Sequence, residues 1–481
     1  MTNKLYDLAE ANAVRFGTSG VRGPVSNMTD EVCYAYTQAF LAVLGMSARQ
    51  VVVGHDLRPS SPRIAAACIQ AIEDSGRQAV FVGALPTPAV AYYAGLNKIP
   101  GIIVTGSHIP FDRNGIKFYR ADGEIDKDNE AAMLAAPVAI PPGLSPALLP
   151  SVNDAALQAY IERYAVFFGP QALSGARVAL YEHSSVARDV LRTILEKLGA
   201  QVLSLGRTDT FVPIDTEAVR QDDIVQAKAW AQEHDFDAIL STDGDGDRPL
   251  IGDETGTWMR GDVVGILCAQ HLHANVVVTP VSSNSAVELC GSFAQVARTR
   301  IGSPYVIAGM QSAQSASSEA IVVGYEANGG FLLGSDLSNG TATLAALPTR
   351  DAVLPMVALL AMAVSRACRM SELSSGLPSR YTASDRIQEV PTDASARLIA
   401  ALDEDSVGAA ALMAPMSGPV VGQNTTDGLR LTFENGDVVH LRPSGNAPEL
   451  RCYAEADTQE RAQQLCRDCL DRVSARLKAV A

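Results

Sequence analysis

The chain has 481 residues, more than one ordinary domain holds, and its length suggests three or four domains. Hydrophobic residues make up 47% and charged residues 19%, a composition that supports large buried cores and excludes a mainly disordered chain. The net charge of −15 argues against a general nucleic-acid-binding protein, which needs a basic face. A phosphorylated ligand is not excluded, because a few nearby arginines decide phosphate binding.

Neither a membrane span nor a signal peptide is predicted. The longest apolar run, residues 354–364, contains Pro355 and is far shorter than the ~20 residues that a span needs. The N-terminus lacks a continuous apolar segment. We therefore expect a cytoplasmic monomer or dimer with no membrane or nucleic-acid partner. The scattered cysteines predict reduced core thiols, and the CxxC spacing of Cys466 and Cys469 has no second pair to complete a metal site.

The first part of the chain alternates between strand and helix patterns. Strands are predicted at 50–54, 78–83 and 101–105, and helices at 62–75 and from Thr87. The Pro/Ala-rich segment 135–150 then predicts a linker.

The alternation begins again after this linker and once more near residue 254. Strands are predicted at 177–181, 201–205, 236–241, 275–279 and 320–324, and helices at 186–198, 223–233, 261–271 and 285–293. Three consecutive α/β units are the natural interpretation. The C-terminal region differs, since Asn435-Gly436 within 429–441 predicts a β-hairpin, followed by a strand at 450–454 and a long helix from Thr458. This pattern predicts a fourth, α+β domain.

The segment STDGDGDR places Asp243, Asp245 and Asp247 directly after a predicted strand. Carboxylates at i, i+2 and i+4 of an extended loop share one face, and the intervening glycines let the backbone curve around an ion. Ligands that are all oxygen suit a hard cation such as Mg²⁺. An EF-hand is disfavoured, because Arg248 stands where its loop needs glycine and the flanks are strands. A solvated acidic turn is the remaining alternative.

The segment VTGSHIP places Ser107 in the loop after another predicted strand, where a nucleophile is exposed at the carboxyl edge of the sheet. His108 is adjacent, and adjacent side chains rarely face each other, so a serine-hydrolase dyad is doubtful. A G-x-S-x-G elbow is also absent. A plain turn is the alternative interpretation.

The segment RPSGNAPELR, residues 442–451, joins the hairpin to the next strand and carries two arginines beside a glycine turn. Forked guanidinium groups and free backbone N–H groups suit a phosphate, although a hairpin exit with solvated arginines is possible. Weaker signals are RFGTSGVRG with Arg22, and GYEANGG with Glu326 and Asn328 as partners for hydroxyl groups. P-loop and Rossmann fingerprints are both missing.

Taken together and in chain order, the segments VTGSHIP, STDGDGDR, GYEANGG and RPSGNAPELR resemble those of the α-D-phosphohexomutase family, in its phosphomannomutase and phosphoglucomutase branch. DGDGDR matches the family's magnesium loop at every position, and the serine loop is similar to T-A-S-H-N-P, the sugar loop to G-E-x-S-G, and the phosphate loop to R-P-S-G-T-E-P-x-x-R. Departures fall at Gly106, Ile109, Asn446, Ala447 and Gly330, and they bear on substrate preference more than on reaction class.

The resemblance implies three consecutive α/β domains with mixed sheets and a C-terminal α+β domain around a central cleft. We expect domains at 1–149 with the phosphoserine loop, 150–253 with the metal-binding loop, 254–370 with the sugar-binding loop and 371–481 with the phosphate-binding loop. The implied roles are a phosphoryl carrier and metal ligand (Ser107), metal ligands (Asp243, Asp245, Asp247), catalytic cations and proton carriers (Arg22, Arg248, Lys117, His108), sugar contacts (Glu326, Asn328) and phosphate contacts (Arg442, Ser444, Gly445, Asn446, Arg451).

The implied activity is interconversion of hexose 6-phosphate and hexose 1-phosphate, of mannose and/or glucose, with Mg²⁺ and a hexose 1,6-bisphosphate activator. Two alternatives stay open. A phosphoglucosamine mutase would typically have Gln where this chain has Ala327. A non-catalytic Ca²⁺- or sugar-phosphate-binding module would have no need of a nucleophile such as Ser107.

Overall fold

The computed structural model describes residues 3–17, 19–45, 48–146, 148–444 and 448–480. Its first unit contains β1 (Asn3–Lys4), α1 (Leu5–Asn12), β2 (Arg15–Phe16), β3 (Val21–Pro24), α2 (Asp30–Leu44), β4 (Gln50–His55), α3 (Ser61–Asp74), β5 (Gln78–Ala84), α4 (Thr87–Asn97), β6 (Gly101–Val104), β7 (Arg113–Arg120), β8 (Gly123–Glu124), α5 (Lys127–Ala135) and β9 (Pro137–Val138). The main sheet has the order β2-β3-β7-β6-β4-β5, with β8 beside β7. Strands β6, β4 and β5 are parallel and the others antiparallel, so the sheet is mixed.

The second and third units repeat this plan. The second contains α6 (Ala155–Phe168), β10 (Arg177–Tyr181), α7 (Arg188–Lys197), β11 (Gln201–Leu205), α8 (Gln221–Glu233), β12 (Ala238–Thr242) and β13 (Pro249–Asp253), with sheet order β11-β10-β12-β13. The third contains α9 (Gly261–His271), β14 (Val276–Pro280), α10 (Ala286–Leu289), β15 (Gln295–Thr299), α11 (Ser303–Ala316), β16 (Val322–Tyr325), β17 (Phe331–Leu333), β18 (Leu337–Ser338), β19 (Thr343–Leu344), β20 (Leu347–Asp351) and α12 (Val353–Arg366). Its sheet order is β15-β14-β16-β17-β20, and a 3₁₀ turn at Met370–Glu372 follows.

The fourth unit is an antiparallel sheet of order β21-β25-β24-β23-β22 with helices on one face. It contains β21 (Tyr381–Gln388), α13 (Thr392–Glu404), α14 (Ser406–Met413), β22 (Val420–Asn424), β23 (Leu429–Phe433), β24 (Val438–Pro443), β25 (Glu449–Ala456) and α15 (Gln459–Val480). Leu431 and Leu441 lie in the core beneath the helices, together with Cys466 and Cys469 of α15. Alternate residues such as Arg430 and Arg442 occupy the opposite, polar face of the sheet, because successive side chains of a strand point to opposite faces.

The fold class is confirmed: three α/β units with mixed sheets precede an α+β unit. The predicted helix at 285–293 is wrong in length, since α10 covers only Ala286–Leu289. Gly291, with a φ of 64°, lies just beyond this helix, and the unpredicted strand β15 begins at Gln295. The exact domain limits at 149, 253 and 370 stay predictions. Among the described residues, no helix has the length and apolar character needed to cross a membrane.

The predicted loops follow strands that run parallel within their sheets. Ser107 follows β6, Asp243 follows β12 and Glu326 follows β16. In each mixed sheet the strand after the loop (β7, β13 or β17) pairs antiparallel with the strand before it, so the two ends of the loop are held side by side. Ligand sites of open α/β sheets form at the carboxyl ends of strands, so this topology brings the chemistry of three units to equivalent edges.

A buried carboxylate joins the second unit to the third. Asp351, at the end of β20, accepts hydrogen bonds from the hydroxyl groups of Tyr160 (2.7 Å) and Tyr164, both on α6. All three residues are at most 2% exposed. Arg163 of the same helix stacks on Tyr92 of α4, with 4.7 Å between the guanidinium carbon and the ring centre, and so links the first unit as well. Helix α6 of the second unit therefore contacts both the first and the third units through buried side chains.

We expect Tyr160→Phe to lower the free energy of unfolding by about 1–3 kcal/mol, because it removes one donor from a buried carboxylate without opening a cavity. Urea unfolding measures the change. Tyr6→Phe, at an exposed position, is the control and should be neutral. Equal stability of the two variants would show that Asp351 does not hold α6 against β20.

Candidate active site

Ser107 lies in a buried loop whose backbone conformation is unusual. Its φ is 52°, in the left-handed region that non-glycine residues rarely adopt, and its side chain is almost fully buried. The Ser107 N–H donates to Thr105 Oγ1 (2.8 Å), and the Thr105 hydroxyl donates to Asp56 Oδ2 (2.8 Å). Strained residues of this kind persist only where their surroundings hold them, and they are common at functional sites.

Arg58 is the main support of this loop. Its Nη1 donates to the carbonyls of Pro110 (2.8 Å) and Arg113 (2.9 Å), and its Nη2 donates to those of Ser107 (2.9 Å) and Ile109 (2.6 Å). Four carbonyls of one loop thus converge on one guanidinium, which is 1% exposed.

Two further contacts complete the setting of Arg58. Its Nε lies 3.3 Å from Asp56 Oδ2, and its guanidinium carbon lies 4.2 Å from the ring centre of Phe211, a residue of the second unit. A Cβ atom built on Gly106 would lie 2.5 Å from Cζ of Arg58, closer than any side chain tolerates. Arg58 therefore occupies the space that the methyl group of an alanine would need at position 106, where the family usually has alanine.

The three aspartates of the second unit lie beside Ser107. Ser107 Oγ donates to Asp243 Oδ2 at 2.6 Å. Carboxylate oxygens of Asp243, Asp245 and Asp247 all lie within 4.8 Å of one another, and each side chain is at most 1% exposed. The turn curls as the glycines predict, because the N–H groups of Asp247 and Arg248 both donate back to Asp243 Oδ1 at 3.2 Å.

Cations from two other units partly neutralise this cluster. Lys117, on β7 of the first unit, contacts Asp245 Oδ2 (2.8 Å) and Asp247 Oδ2 (2.7 Å). Arg350, on β20 of the third, contacts Asp247 Oδ2 (2.7 Å). Burial opposes both charges, but the carboxylates prevail and raise the pKa of Lys117 above, and that of Arg350 well above, their ordinary values. Both side chains are therefore protonated.

Two more arginines contribute positive charge. Arg248 Nε lies 3.7 Å from Asp247 Oδ1 and 3.9 Å from Asp243 Oδ2. Burial, together with the positive charges of Arg248 and Arg350, lowers the pKa of Arg22 to about 10. His108 has its Nδ1 atom 3.3 Å from Ser107 Oγ, and the charge of Arg248 together with burial lowers its pKa well below the usual range. The imidazole is therefore neutral.

The cluster fits a divalent cation. Burial and the two neighbouring carboxylates raise the pKa of Asp243 well above its usual range. Burial also acts on Asp245 and Asp247, but Lys117 and, at Asp247, Arg350 outweigh it and lower the pKa of both, so Asp243 is the least compensated of the three. Among the described residues, the buried Oδ1 atoms of Asp245 and Asp247 have no hydrogen-bond partner. With Asp243 Oδ2 these atoms form an all-oxygen donor set, the chemistry that hard cations require. The group could hold a metal ion.

The predicted sugar loop is linked to the same network. Arg350 Nη1 donates to Glu326 Oε2 at 3.0 Å, so one guanidinium connects the sugar loop to the aspartate loop. Asn328 Oδ1 accepts from the Gly330 N–H (2.9 Å), and its carbonyl accepts from the Thr216 hydroxyl (2.6 Å). Glu326 is thus held by Arg350 of its own unit, and Asn328 by Gly330 of the same unit and Thr216 of the second.

The predicted phosphate loop belongs to the fourth unit. Arg442 on β24 and Arg451 on β25 are directly paired across the two strands, and both are partly exposed. Ser444 is buried, and its N–H donates to the Glu449 carbonyl at 2.8 Å. Gly445 and Asn446 lie outside the described residues.

The structure therefore brings Ser107, His108, Lys117 and Arg248 together with the aspartates, and it connects Glu326 to them through Arg350. Within the described residues, no direct hydrogen bond or ion pair joins Arg442 or Arg451 to that group. Sequence reasoning missed Arg58, Asp56 and Arg350. The pair Asp56 and Arg58 follows β4 at the same sheet edge as Ser107, which was a usable signal, whereas Arg350 lies within a short strand and offered none.

Four known protein-domain families match consecutive parts of this chain, each containing one of the predicted loops. The families described as phosphoglucomutase/phosphomannomutase, alpha/beta/alpha domains I, II and III, match residues 13–137, 158–256 and 260–381, and the corresponding C-terminal domain matches 379–472. The phosphomannomutase of Salmonella muenchen is 46% identical over 474 residues, which is 98% of both chains. The chain belongs to the phosphoglucomutase/phosphomannomutase family of enzymes.

Other members are similar at greater distance. The phosphomannomutase of Sinorhizobium fredii (strain NBRC 101917 / NGR234) is 45% identical over 94% of this chain and 97% of its own. A phosphoglucosamine mutase of Citrifermentans bemidjiense is 28% identical over 94% and 98%. The crystal structure of a phosphoglucomutase/phosphomannomutase family protein from Burkholderia thailandensis has a TM-score of 0.73 at 20% identity, covering 95% of this chain and 97% of that one. At this identity the likeness concerns the fold alone.

The Arg58 contacts predict the effect of Arg58→Met, which keeps the apolar stem but removes the donors. Each buried carbonyl left unpaired costs about 1–3 kcal/mol, so amide hydrogen exchange in residues 105–110 should accelerate by at least about tenfold. Mass-spectrometric exchange measures this effect. Arg63→Met is the matched control, because Arg63 pairs with Asp30 at the surface. Unchanged exchange in the serine loop would contradict the support assigned to Arg58.

Proposed function

We propose that this family member is a phosphohexomutase that interconverts hexose 6-phosphate and hexose 1-phosphate of mannose and/or glucose. The phosphoryl group passes through Ser107 and a hexose 1,6-bisphosphate. The observation that carries the proposal is the 2.6 Å contact between Ser107 Oγ and Asp243 within a buried cluster of three carboxylates. A serine hydroxyl that shares the cluster of a hard cation is a suitable carrier of a phosphoryl group.

Magnesium is the proposed metal, held by Asp243, Asp245, Asp247 and Ser107. When bound, it supplies positive charge that neutralises the transferring phosphoryl group and orients it for in-line transfer. Lys117 donates to the Oδ2 atoms of Asp245 and Asp247, and Arg350 donates to Asp247 Oδ2, so that the two Oδ1 atoms remain for the ion.

In the forward step, the bond between phosphorus and Ser107 Oγ breaks while a bond from phosphorus to the substrate hydroxyl oxygen forms. Arg22 and Arg248 stabilise the charge on the equatorial oxygens. The hydroxyl proton passes to a nearby base. His108 is unprotonated and so can accept this proton, and the positive charge of Lys117 favours its loss from the hydroxyl group. The bisphosphate then turns over and returns its other phosphoryl group to Ser107 by the reverse exchange of bonds.

The remaining residues are proposed to hold the sugar and the phosphate that does not react. Glu326 and Asn328 suit neutral hydroxyl groups, because a carboxylate would repel a phosphate. Arg442, Ser444 and Arg451, with Gly445 and Asn446 of the same loop, suit the phosphate dianion. A hexose 1,6-bisphosphate is the proposed activator, since it would phosphorylate Ser107 in an inactive chain.

Mannose or glucose phosphate is favoured over glucosamine phosphate as the substrate. The relatives at 46% and 45% identity are phosphomannomutases, whereas the phosphoglucosamine mutase of Citrifermentans bemidjiense is 28% identical. A coupled assay with mannose 1-phosphate, glucose 1-phosphate and glucosamine 1-phosphate, each with its bisphosphate, tests this choice. We expect the largest kcat/KM for mannose or glucose. A preference for glucosamine 1-phosphate would contradict the assignment.

Incubation with glucose 1,6-bisphosphate should leave one phosphoryl group on Ser107, which peptide mass spectrometry locates. Ser107→Ala should lose the label and more than about a thousandfold of kcat, because the carrier oxygen is absent. Ser315→Ala, on the exposed surface of α11, is the control and should keep full turnover. Wild-type turnover in Ser107→Ala would exclude the phosphoserine route.

Chelation should abolish activity and added Mg²⁺ should restore it. Asp245→Asn keeps the shape of the side chain but removes one ligand charge, so we expect at least about tenfold weaker Mg²⁺ binding by titration calorimetry. Asp222→Asn, at an exposed position on α8, should bind as the unmodified chain does. Equal Mg²⁺ affinity in the two variants would refute the metal site, whatever their activity.

A further inference from the structure

Asp427 lies in the turn between β22 and β23, and the turn is held tightly against β24. Gly428 has a φ of 89°, and a Cβ atom there would lie 2.2 Å from the Leu441 carbonyl oxygen. His440 Nε2 lies 2.6 Å from the Asp427 carbonyl oxygen, to which it donates. The backbone of Asp427 is therefore fixed beside the strand that leads into the phosphate loop.

The carboxylate of Asp427 makes two contacts through the same oxygen. Asp427 Oδ2 lies 2.8 Å from Arg442 Nε, with side chains that are 18% and 14% exposed. It also accepts the N–H of Ile301 at 2.9 Å. Arg442 belongs to the fourth unit, like Asp427, and Ile301 belongs to the third. The Asp427 carboxylate therefore pairs with an arginine of its own unit and accepts a backbone N–H of the neighbouring one.

The segment around Ile301 leads back to the buried cluster. Arg300 Nε donates to the Thr426 carbonyl at 3.1 Å, which reinforces the docking. Ser303, at the start of α11, accepts from Arg350 Nη1 at 3.4 Å, and Arg350 contacts Asp247. Arg442 is thus connected to the aspartate loop through Asp427, the segment 301–303 and Arg350.

We propose that Asp427 is a positioning residue that holds Arg442 for the distal phosphate and at the same time docks the fourth unit on Ile301 of the third. The proposal rests on the proposed function for the identity of the ligand, a hexose phosphate. The ion pair uses Nε, so the terminal nitrogens of the guanidinium remain chemically suited to a phosphate. Holding a long side chain before the ligand arrives reduces the conformational entropy that binding must remove.

Steady-state kinetics on the full chain test the positioning. Asp427→Ala should raise KM for the hexose phosphate about ten- to a hundredfold and change kcat by less than about threefold, because a distal contact acts equally before and in the transition state. Asp427→Asn keeps an oxygen for the Ile301 N–H but loses the charge, so its KM should rise about three- to tenfold. Asp393→Asn, an exposed aspartate of the same unit that pairs with Arg397, should leave KM unchanged.

A double variant separates positioning from general damage. Asp427→Ala in the Arg442→Ala background should add little, since the group that Asp427 positions is already absent. KM increases that multiply, or an Asp427→Asn variant with the unmodified KM, would overturn the positioning of Arg442.

Hydrogen exchange at the Ile301 amide tests the docking without any substrate. Asp427→Ala should accelerate it at least about tenfold, and Asp427→Asn by much less. Unchanged exchange in Asp427→Ala overturns the docking contact even in an active enzyme. A wild-type chain that turns over no hexose phosphate overturns the proposed function instead, and the exchange result still decides the contact between Asp427 and Ile301.

Discussion

Mutual repulsion of the buried carboxylates Asp243, Asp245 and Asp247 is the constraint on which the rest of the structure depends. Within 4.8 Å, each pair of full charges repels by about 3–4 kcal/mol at an effective dielectric constant of about 20. The loop itself supplies one positive side chain, Arg248, against three carboxylates. The remaining charge must be balanced from outside the loop, and this requirement dictates which other parts of the chain come to lie against it.

The compensation comes from several units at once. Lys117 reaches the cluster from the first unit and Arg350 from the third, while Arg248 belongs to the loop itself. Because Lys117 and Arg350 engage Oδ2 atoms, the Oδ1 atoms of Asp245 and Asp247 remain available to a cation. The same contacts hold three units together around Ser107. The fourth unit docks on this assembly through contacts that include Arg300, Ile301 and Ser285, and it carries the proposed phosphate-binding arginines on its polar face.

Much of the fold followed from local patterns. Periodic apolar residues predicted the three α/β units, with β10, β11 and α9 at their observed limits. Asn435-Gly436 predicted the hairpin of β23 and β24. These elements were accessible because each is specified by neighbouring residues: alternation, helical periodicity, and turns that favour glycine or asparagine. The short strand β15 was missed, because five residues of mixed polarity carry too little periodicity to be recognised, and helix α10 was predicted too long.

By itself, the sequence determined the family, the order of its four units and the chemistry of the main loops, since clustered aspartates and a serine after a strand are visible as motifs. Only the tertiary structure decided what holds those motifs in place. Arg58, Arg350 and Asp427 are single charged residues without a local pattern. The loop carbonyls that Arg58 binds lie about 50 positions away, the carboxylates that Arg350 binds lie 24 and 103 away, and the two partners of Asp427 lie 15 and 126 away. Each became significant because folding buried it, wholly or in part, beside carbonyls, charged side chains or amides that satisfy its charge. That condition depends on distance in space, which no spacing along the chain expresses.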